Sequence, residues 1–242
     1  AVHENMESMY KYVRLRKKLL KVDELHMYDL YVPVVSNAGR SISFAETKEN
    51  IREALAVLGE DYVALLDEGF ENRWIDIYEN AGKRSGAYSW GTYGTHPYVL
   101  LNFNSTLNHV FTLAHEMGHA IHSYYSDQSQ PYTYAGYKIF VAEVASTCNE
   151  ALLIRYLMDH GKDSREKQYL INHFLESFRG TLFRQTMFAE FESIVHQKAE
   201  KGESLTAKEL CRIYRQLNID YFGPEIIVDE GIDYEWERIP HF

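Results

Sequence analysis

Apolar and polar positions along the chain recur mostly in helical periods. Residues 3–20 place apolar side chains on one stripe. The same segment carries a basic run, Arg14-Leu-Arg-Lys-Lys18, that is expected to be a solvated face. Tyr28-Asp-Leu-Tyr-Val-Pro-Val-Val35 has the composition of a strand, and Pro33 would confine it to a sheet edge. Ser43-Phe-Ala-Glu46 is a capping box that opens a helix to about Leu58, and Asp61 begins another. In residues 85–103, tyrosine, threonine, Gly86, Gly91, Gly94 and Pro97 predict short strands and turns. Residues 163–201 predict a long helical region that breaks or kinks at Gly180. Thr206-Ala-Lys-Glu209 is a second capping box, opening a helix that Phe222-Gly-Pro224 stops. With no internal repeat or low-complexity linker, the pattern predicts a mainly α fold with a small β-sheet.

Two further stretches are largely apolar, and the first is so nearly all round, as no surface helix would be. In the first, Val110, Phe111, Leu113, Ala114, Met117, Ala120 and Ile121 surround His115, Glu116 and His119, with Asn104, Ser105 and Thr106 as candidate N-caps. Gly118 within it costs helix stability and implies close approach by a substrate or another backbone. The second stretch, Lys138-Ile-Phe-Val-Ala-Glu-Val-Ala-Ser-Thr-Cys-Asn-Glu150, bears one polar stripe at Glu143, Ser146, Thr147 and Glu150. The spacing i, i+3, i+4, i+7 turns these residues one way.

The pair His115-Glu-Met-Gly-His119 carries specific chemistry. Imidazoles four residues apart on a helix stand one above the other, so both can point a nitrogen at one cation. Glu116, between them, can hold a water on that cation and take its proton. The competing account is a buried helix with satisfied core histidines. Burying three ionisable groups within five residues without a metal would be costly, which weighs against it. A catalytic zinc takes three protein ligands and a water, so a third ligand is required. His122 lies a turn beyond His119, about 4.5 Å along the axis, and is expected to support the site without coordinating. The longer pattern with a third histidine does not apply, because Tyr125 occupies that position. Glu143 is the best candidate, since Ala142, Ala145 and Ser146 would let its helix pack closely. Glu150, about 10 Å along the axis from Glu143, is suited to orienting a ligand histidine. One Zn2+ fits two imidazoles and a carboxylate best, although manganese or cobalt could use the same ligands.

These strings, with Tyr124-Tyr-Ser, Ser85-Gly-Ala-Tyr-Ser, Pro97-Tyr-Val-Leu-Leu-Asn-Phe and Trp236-Glu-Arg-Ile-Pro-His-Phe242, resemble the M3 family of zinc metallopeptidases, in its oligoendopeptidase F branch. The resemblance covers most of residues 85–242, in the family's order. It implies a zincin-like helical catalytic core that cleaves internal bonds of short peptides within a deep channel, usually in the cytoplasm. It also implies that His241 contacts the substrate or the transition state. Family members are much longer, with an N-terminal helical region forming the other channel wall and tyrosines just beyond the Pro-His-Phe segment. Residues 1–242 are therefore expected to be the catalytic portion of a longer enzyme, whose remainder is a partner.

The segment around Gly86, Ala87, Tyr88 and Ser89 borders the family's cleft, and an extended peptide could add as a strand there. A core hairpin whose tyrosines pack is the equal alternative; Tyr93 and His96 are weaker candidates. Composition agrees with such an enzyme. At 45% hydrophobic and 14% aromatic residues, the chain can bury a sizeable core. A formal charge of −10 argues against nucleic acid or an anionic membrane as partner. Cys148 and Cys211 form no disulfide framework, and no apolar run spans a bilayer, so the cytoplasm is the expected compartment. Two other functions stay open: a zinc- and peptide-binding chain without turnover, and another zinc hydrolase such as an aminopeptidase.

Overall fold

The computed structural model describes residues 1–35, 41–161 and 163–239. In chain order, the elements are α1 (Met6–Leu20), β1 (Leu25–His26), α2 (Phe44–Leu55), α3 (Glu60–Glu71), β2 (Ile75–Asp76), β3 (Tyr88–Trp90), β4 (Tyr98–Leu100), α4 (Leu107–Ser129), α5 (Tyr132–Ala135), α6 (Ile139–His160), α7 (Ser164–Ser177), α8 (Arg184–Glu200), α9 (Ala207–Phe222) and β5 (Ile226–Ile227). The fold is mainly α with little strand. The chain divides into two compact units, one of Ala1–Asn37 with Ile171–Phe242 and the other of Ala38–Leu170.

In the first unit, Met9, Val13, Leu25, Leu30, Phe191, Tyr214, Leu217 and Tyr221 build the core. Thr206 caps α9 as its box predicts, accepting a hydrogen bond from the Glu209 N–H at 3.3 Å. Two expectations are corrected here. Residues 28–35 do not form a strand: Met27–Tyr31 is a 3-10 turn, and pairing is limited to β1, parallel to β5. The reason is local satisfaction of the backbone. The Val32 N–H donates to the Asp29 carbonyl at 3.2 Å, and the Asp29 and Val32 carbonyls accept from Arg16, so these groups are lost to a ladder. Secondly, the basic run is not wholly solvated. Arg16 is only 2% exposed, donating to Glu176 at 2.9 Å and to the carbonyls of Asp29 and Val32 at 2.8 and 2.6 Å. Gly180, where a break or kink is expected, sits in a π-helical turn, Phe178–Phe183, that interrupts the α-helix between α7 and α8.

In the second unit, Ser43 caps α2 by accepting from the Glu46 N–H at 3.1 Å. The helix tightens into a 3-10 turn at Ala56–Leu58. Helix α4 occupies the centre, with Val110, Leu113, Ala114, Met117, Ala120 and Ile121 all fully buried. Thr106 is its N-cap, accepting from the His109 N–H. Helix α6 packs along α4. A Cβ on Gly118 would fall 2.8 Å from the Ser146 Cα and 2.9 Å from the Ala145 carbonyl oxygen. Of the two reasons for Gly118, close approach by another backbone is therefore the one realised. The sheet of this unit has the order β2-β4-β3. Strand β4 is parallel to β2 and antiparallel to β3, with Ser89 opposite Val99. Both β3 and β4 pack on α4, and β3 is an edge.

Candidate metal centre

Close packing of α6 on α4 brings the polar groups of both helices together. The Nε2 atoms of His115 and His119 lie 3.1 Å apart. Glu143 places its carboxylate oxygens 3.5 Å from His115 Nε2 and 3.7 Å from His119 Nε2. A tetrahedral cation bound at about 2.0–2.2 Å needs ligand atoms roughly 3.3–3.6 Å apart, so this donor set fits one. Among the described residues, these three form the one group able to hold a metal ion.

His115 and Glu143 are each held by a neighbour. The Glu150 carboxylate bonds His115 Nδ1, which fixes that proton on Nδ1 and leaves the Nε2 lone pair facing Glu143 and His119. Burial pulls the His115 pKa down, but the hydrogen bond and charge of Glu150, with Glu116 and Glu143, outweigh it and raise the pKa above the usual value. His119 is lowered, first by burial and then by the charge of His115. Ser146 donates to the Glu143 carboxylate at 2.8 Å, and Thr147 donates to the Glu143 carbonyl. Helix spacing therefore supplies both the carboxylate and its anchor from one stripe.

Glu116 is buried, at 7% exposure, in direct sequence with His115. Burial pushes its carboxyl up, the charge of His115 pulls it down, Glu143 pushes it up again, and the Ser89 N–H bonds it; the net direction is upward. The charges that act on it include those of His115 and Glu143, two of the three candidate ligands.

His122 stands apart from the three donors. Its ring stacks on Tyr137 with centroids 3.9 Å apart, and its Nδ1 is buried without a hydrogen-bond partner among the described residues. Gly86, at φ 94°, ends the turn before β3, and its carbonyl and that of Arg84 accept from Asn102 at 2.9 Å each. Ala87 and Ser89 are half-buried, whereas Tyr88 is exposed and does not pack into the core. Tyr93 donates to the Gln130 carbonyl at 3.0 Å, and His96 stacks on Trp74. His241 lies outside the described residues.

Two residues of this region carry no signal in the sequence reading. Asn149, almost wholly buried, donates to the Ala114 carbonyl at 3.0 Å and accepts from Tyr62 at 2.9 Å, which fixes α6 against α4 at the residue before His115. Its position three after Ser146, on the same stripe, is the clue that was available. Tyr62, on α3, has none. Burial raises its hydroxyl pKa to about 12, so it remains a donor.

A mainly helical unit whose two packed helices converge two histidines and a glutamate beside a buried glutamate defines a metallopeptidase-like core. The chain belongs to peptidase family M3, whose sequence pattern matches residues 1–242. It is 53% identical over 241 residues to the oligopeptidase PepF of Bacillus subtilis (strain 168), covering 100% of this chain and 36% of that protein. The oligoendopeptidase-F structure from Enterococcus faecium is 38% identical, with a TM-score of 0.68 over 99% of this chain and 35% of that one. A crystal structure of a Chlamydophila abortus protein reaches a TM-score of 0.82 at 39% identity, covering 100% of this chain and 40% of that one. The chain thus spans well under half the length of these relatives. Among the described residues, no helix is long and apolar enough to cross a membrane.

Proposed function

We propose that this chain is the catalytic portion, residues 1–242, of a zinc-dependent endopeptidase that hydrolyses internal bonds of short peptides in the cytoplasm. The observation that carries this reading is the convergence, from α4 and α6, of two imidazole nitrogens 3.1 Å apart and a carboxylate whose oxygens lie one 3.5 Å from His115 Nε2 and the other 3.7 Å from His119 Nε2, beside the buried Glu116. His115, His119 and Glu143 would hold one Zn2+, which when bound polarises the scissile carbonyl and acidifies water. Glu116 takes a proton from the attacking water and delivers it to the leaving amine. Such proton transfer is worth about 10² to 10⁴ in rate. Glu150 keeps His115 in the tautomer that a cation needs. The edge of β3, from Gly86 to Ser89, receives the peptide backbone by strand addition. His122 supports the site from beyond His119, and His241 enters as a substrate contact on the family resemblance alone.

A second reading, binding of zinc and peptide without turnover, is favoured by the share of its relatives' length that the chain spans. In it, the remainder of a longer enzyme completes the channel. Incubating the chain with zinc and a quenched fluorescent peptide separates the two. Cleavage abolished by a chelator supports hydrolysis, and stoichiometric zinc without cleavage supports binding alone. A chain that takes up no zinc rejects both.

A further inference from the structure

The hydrogen-bonding parity of the sheet decides what a peptide on β3 would meet. In β4, the Val99 N–H donates to the Trp74 carbonyl at 2.7 Å, and the Leu101 N–H to the Asp76 carbonyl at 2.9 Å. These groups point to β2, so the peptide groups of Tyr98 and Leu100 point to β3, where they pair with Trp90 and Tyr88. Ala87 and Ser89 are left facing the free edge. The bond from the Ser89 N–H to Glu116 is made on that side.

Side chains directly opposite one another in a sheet share a face. Ser89 shares its face with the buried Val99, and Tyr88 and Trp90 share the other with Tyr98 and Leu100. On that second face Tyr88 is 52% exposed and Trp90 74% exposed. Tyr98 is braced there by His96, with ring centroids 4.4 Å apart. An added antiparallel strand would hydrogen-bond to Ala87 and to the Ser89 carbonyl, the Ser89 N–H being turned to Glu116. Its residues opposite Tyr88 and Trp90 would then occupy non-hydrogen-bonded pairs, the geometry that brings opposite side chains closest.

We propose that Tyr88 and Trp90 determine specificity, selecting large apolar or aromatic side chains at the two alternate peptide positions that flank the residue paired with Ser89. This rests on the reading of the β3 edge as the peptide-binding strand. It adds which side chains of the peptide are read, and by which residues. An aromatic pair on a sheet surface is worth about threefold to tenfold in affinity per contact.

The test is fluorescence anisotropy with labelled Ala/Ser hexapeptides into which phenylalanine is placed at i and i+2, scanned along the peptide. A chelator is present, so turnover cannot intervene. The wild-type chain should bind the best i, i+2 peptide about tenfold or more tighter than its Ala/Ser parent, and an i, i+1 pair should gain only part of this. Trp90→Ala should lose most of the preference and Tyr88→Ala a separate share. Both variants should melt like the wild type, because both side chains are exposed. The same preference in both variants, equal binding of the i, i+1 and i, i+2 peptides, or no binding of any peptide would overturn the proposal. Failure of the hydrolytic reading is seen separately, as zinc-loaded chain that leaves the bound peptides intact while the preference persists.

Discussion

Gly118 of α4 and Ser146 of α6 touch backbone to backbone: a Cβ on the glycine would sit 2.8 Å from the serine Cα. The contact lies between His119 and Glu143 and sets how near the two helices stand. Gly118→Ala adds that Cβ. The substitution gains about 1 kcal/mol in helix propensity, but overpacking against a backbone that cannot swing away costs about 3 kcal/mol. The melting temperature should fall by roughly 4–8 °C, and zinc affinity should fall with it as the donors separate. Differential scanning calorimetry with a parallel zinc titration checks both; an unchanged melting temperature would mean that α6 retreats without loss.

Glu150 bonds the centre at His115 Nδ1. Glu150→Ala should weaken zinc binding by about 10- to 100-fold while leaving the ligand residues in place. Glu150→Gln can still accept the Nδ1 proton but brings no charge, so its loss should be smaller. Competition with a chromogenic chelator measures the series. Equal affinity in all three proteins would remove Glu150 from the site.

The centre was largely legible because its signals are local. Histidines at i and i+4 face one way in any helix, and Glu143, Ser146, Thr147 and Glu150 share a stripe for the same reason. Capping boxes at Ser43 and Thr206 are likewise properties of four consecutive residues. What escaped depends on partners far along the chain. Residues 28–35 read as a strand because nothing nearby in sequence says that Arg16 will take the Asp29 and Val32 carbonyls. Arg16 looks like one more exposed base until Glu176 and two carbonyls close around it. Asn149 looks like an ordinary helix residue until the Ala114 carbonyl and Tyr62 meet it.

Glu176 ties together Tyr12, Arg16 and Arg179 in the first unit. Burial alone would raise its carboxyl. The hydrogen bond and charge of Arg179, the Tyr12 hydroxyl and the charge of Arg16 prevail and hold it below the usual carboxylate value. A depressed folded pKa contributes stability above the unfolded value of about 4.5, which is lost as pH falls through the folded value. Glu176→Gln leaves the buried Arg16 without its counter-charge and should cost about 1–3 kcal/mol at pH 7. The gap between variant and wild type should close as the pH falls below about 4.5. Thermal unfolding between pH 3 and 7 reads this directly; a gap constant across that range would show that the charge is not the cause.

Glu116 separates binding from chemistry, because it lies beside the donor set without belonging to it. Glu116→Gln keeps the volume and the bond from the Ser89 N–H but can neither take nor deliver a proton. Zinc stoichiometry should therefore stay at that of the wild type while peptide hydrolysis falls by at least about 10²-fold. The loss should appear in kcat with KM little changed, because the group acts on the reacting water and amine and not on the peptide backbone. His115→Ala should fail differently, losing the metal itself, which elemental analysis distinguishes. If Glu116→Gln lost zinc as well, the carboxylate would be a ligand and the proton would have to move through another group. If it hydrolysed peptides at the wild-type rate, no role in proton transfer could be assigned to it.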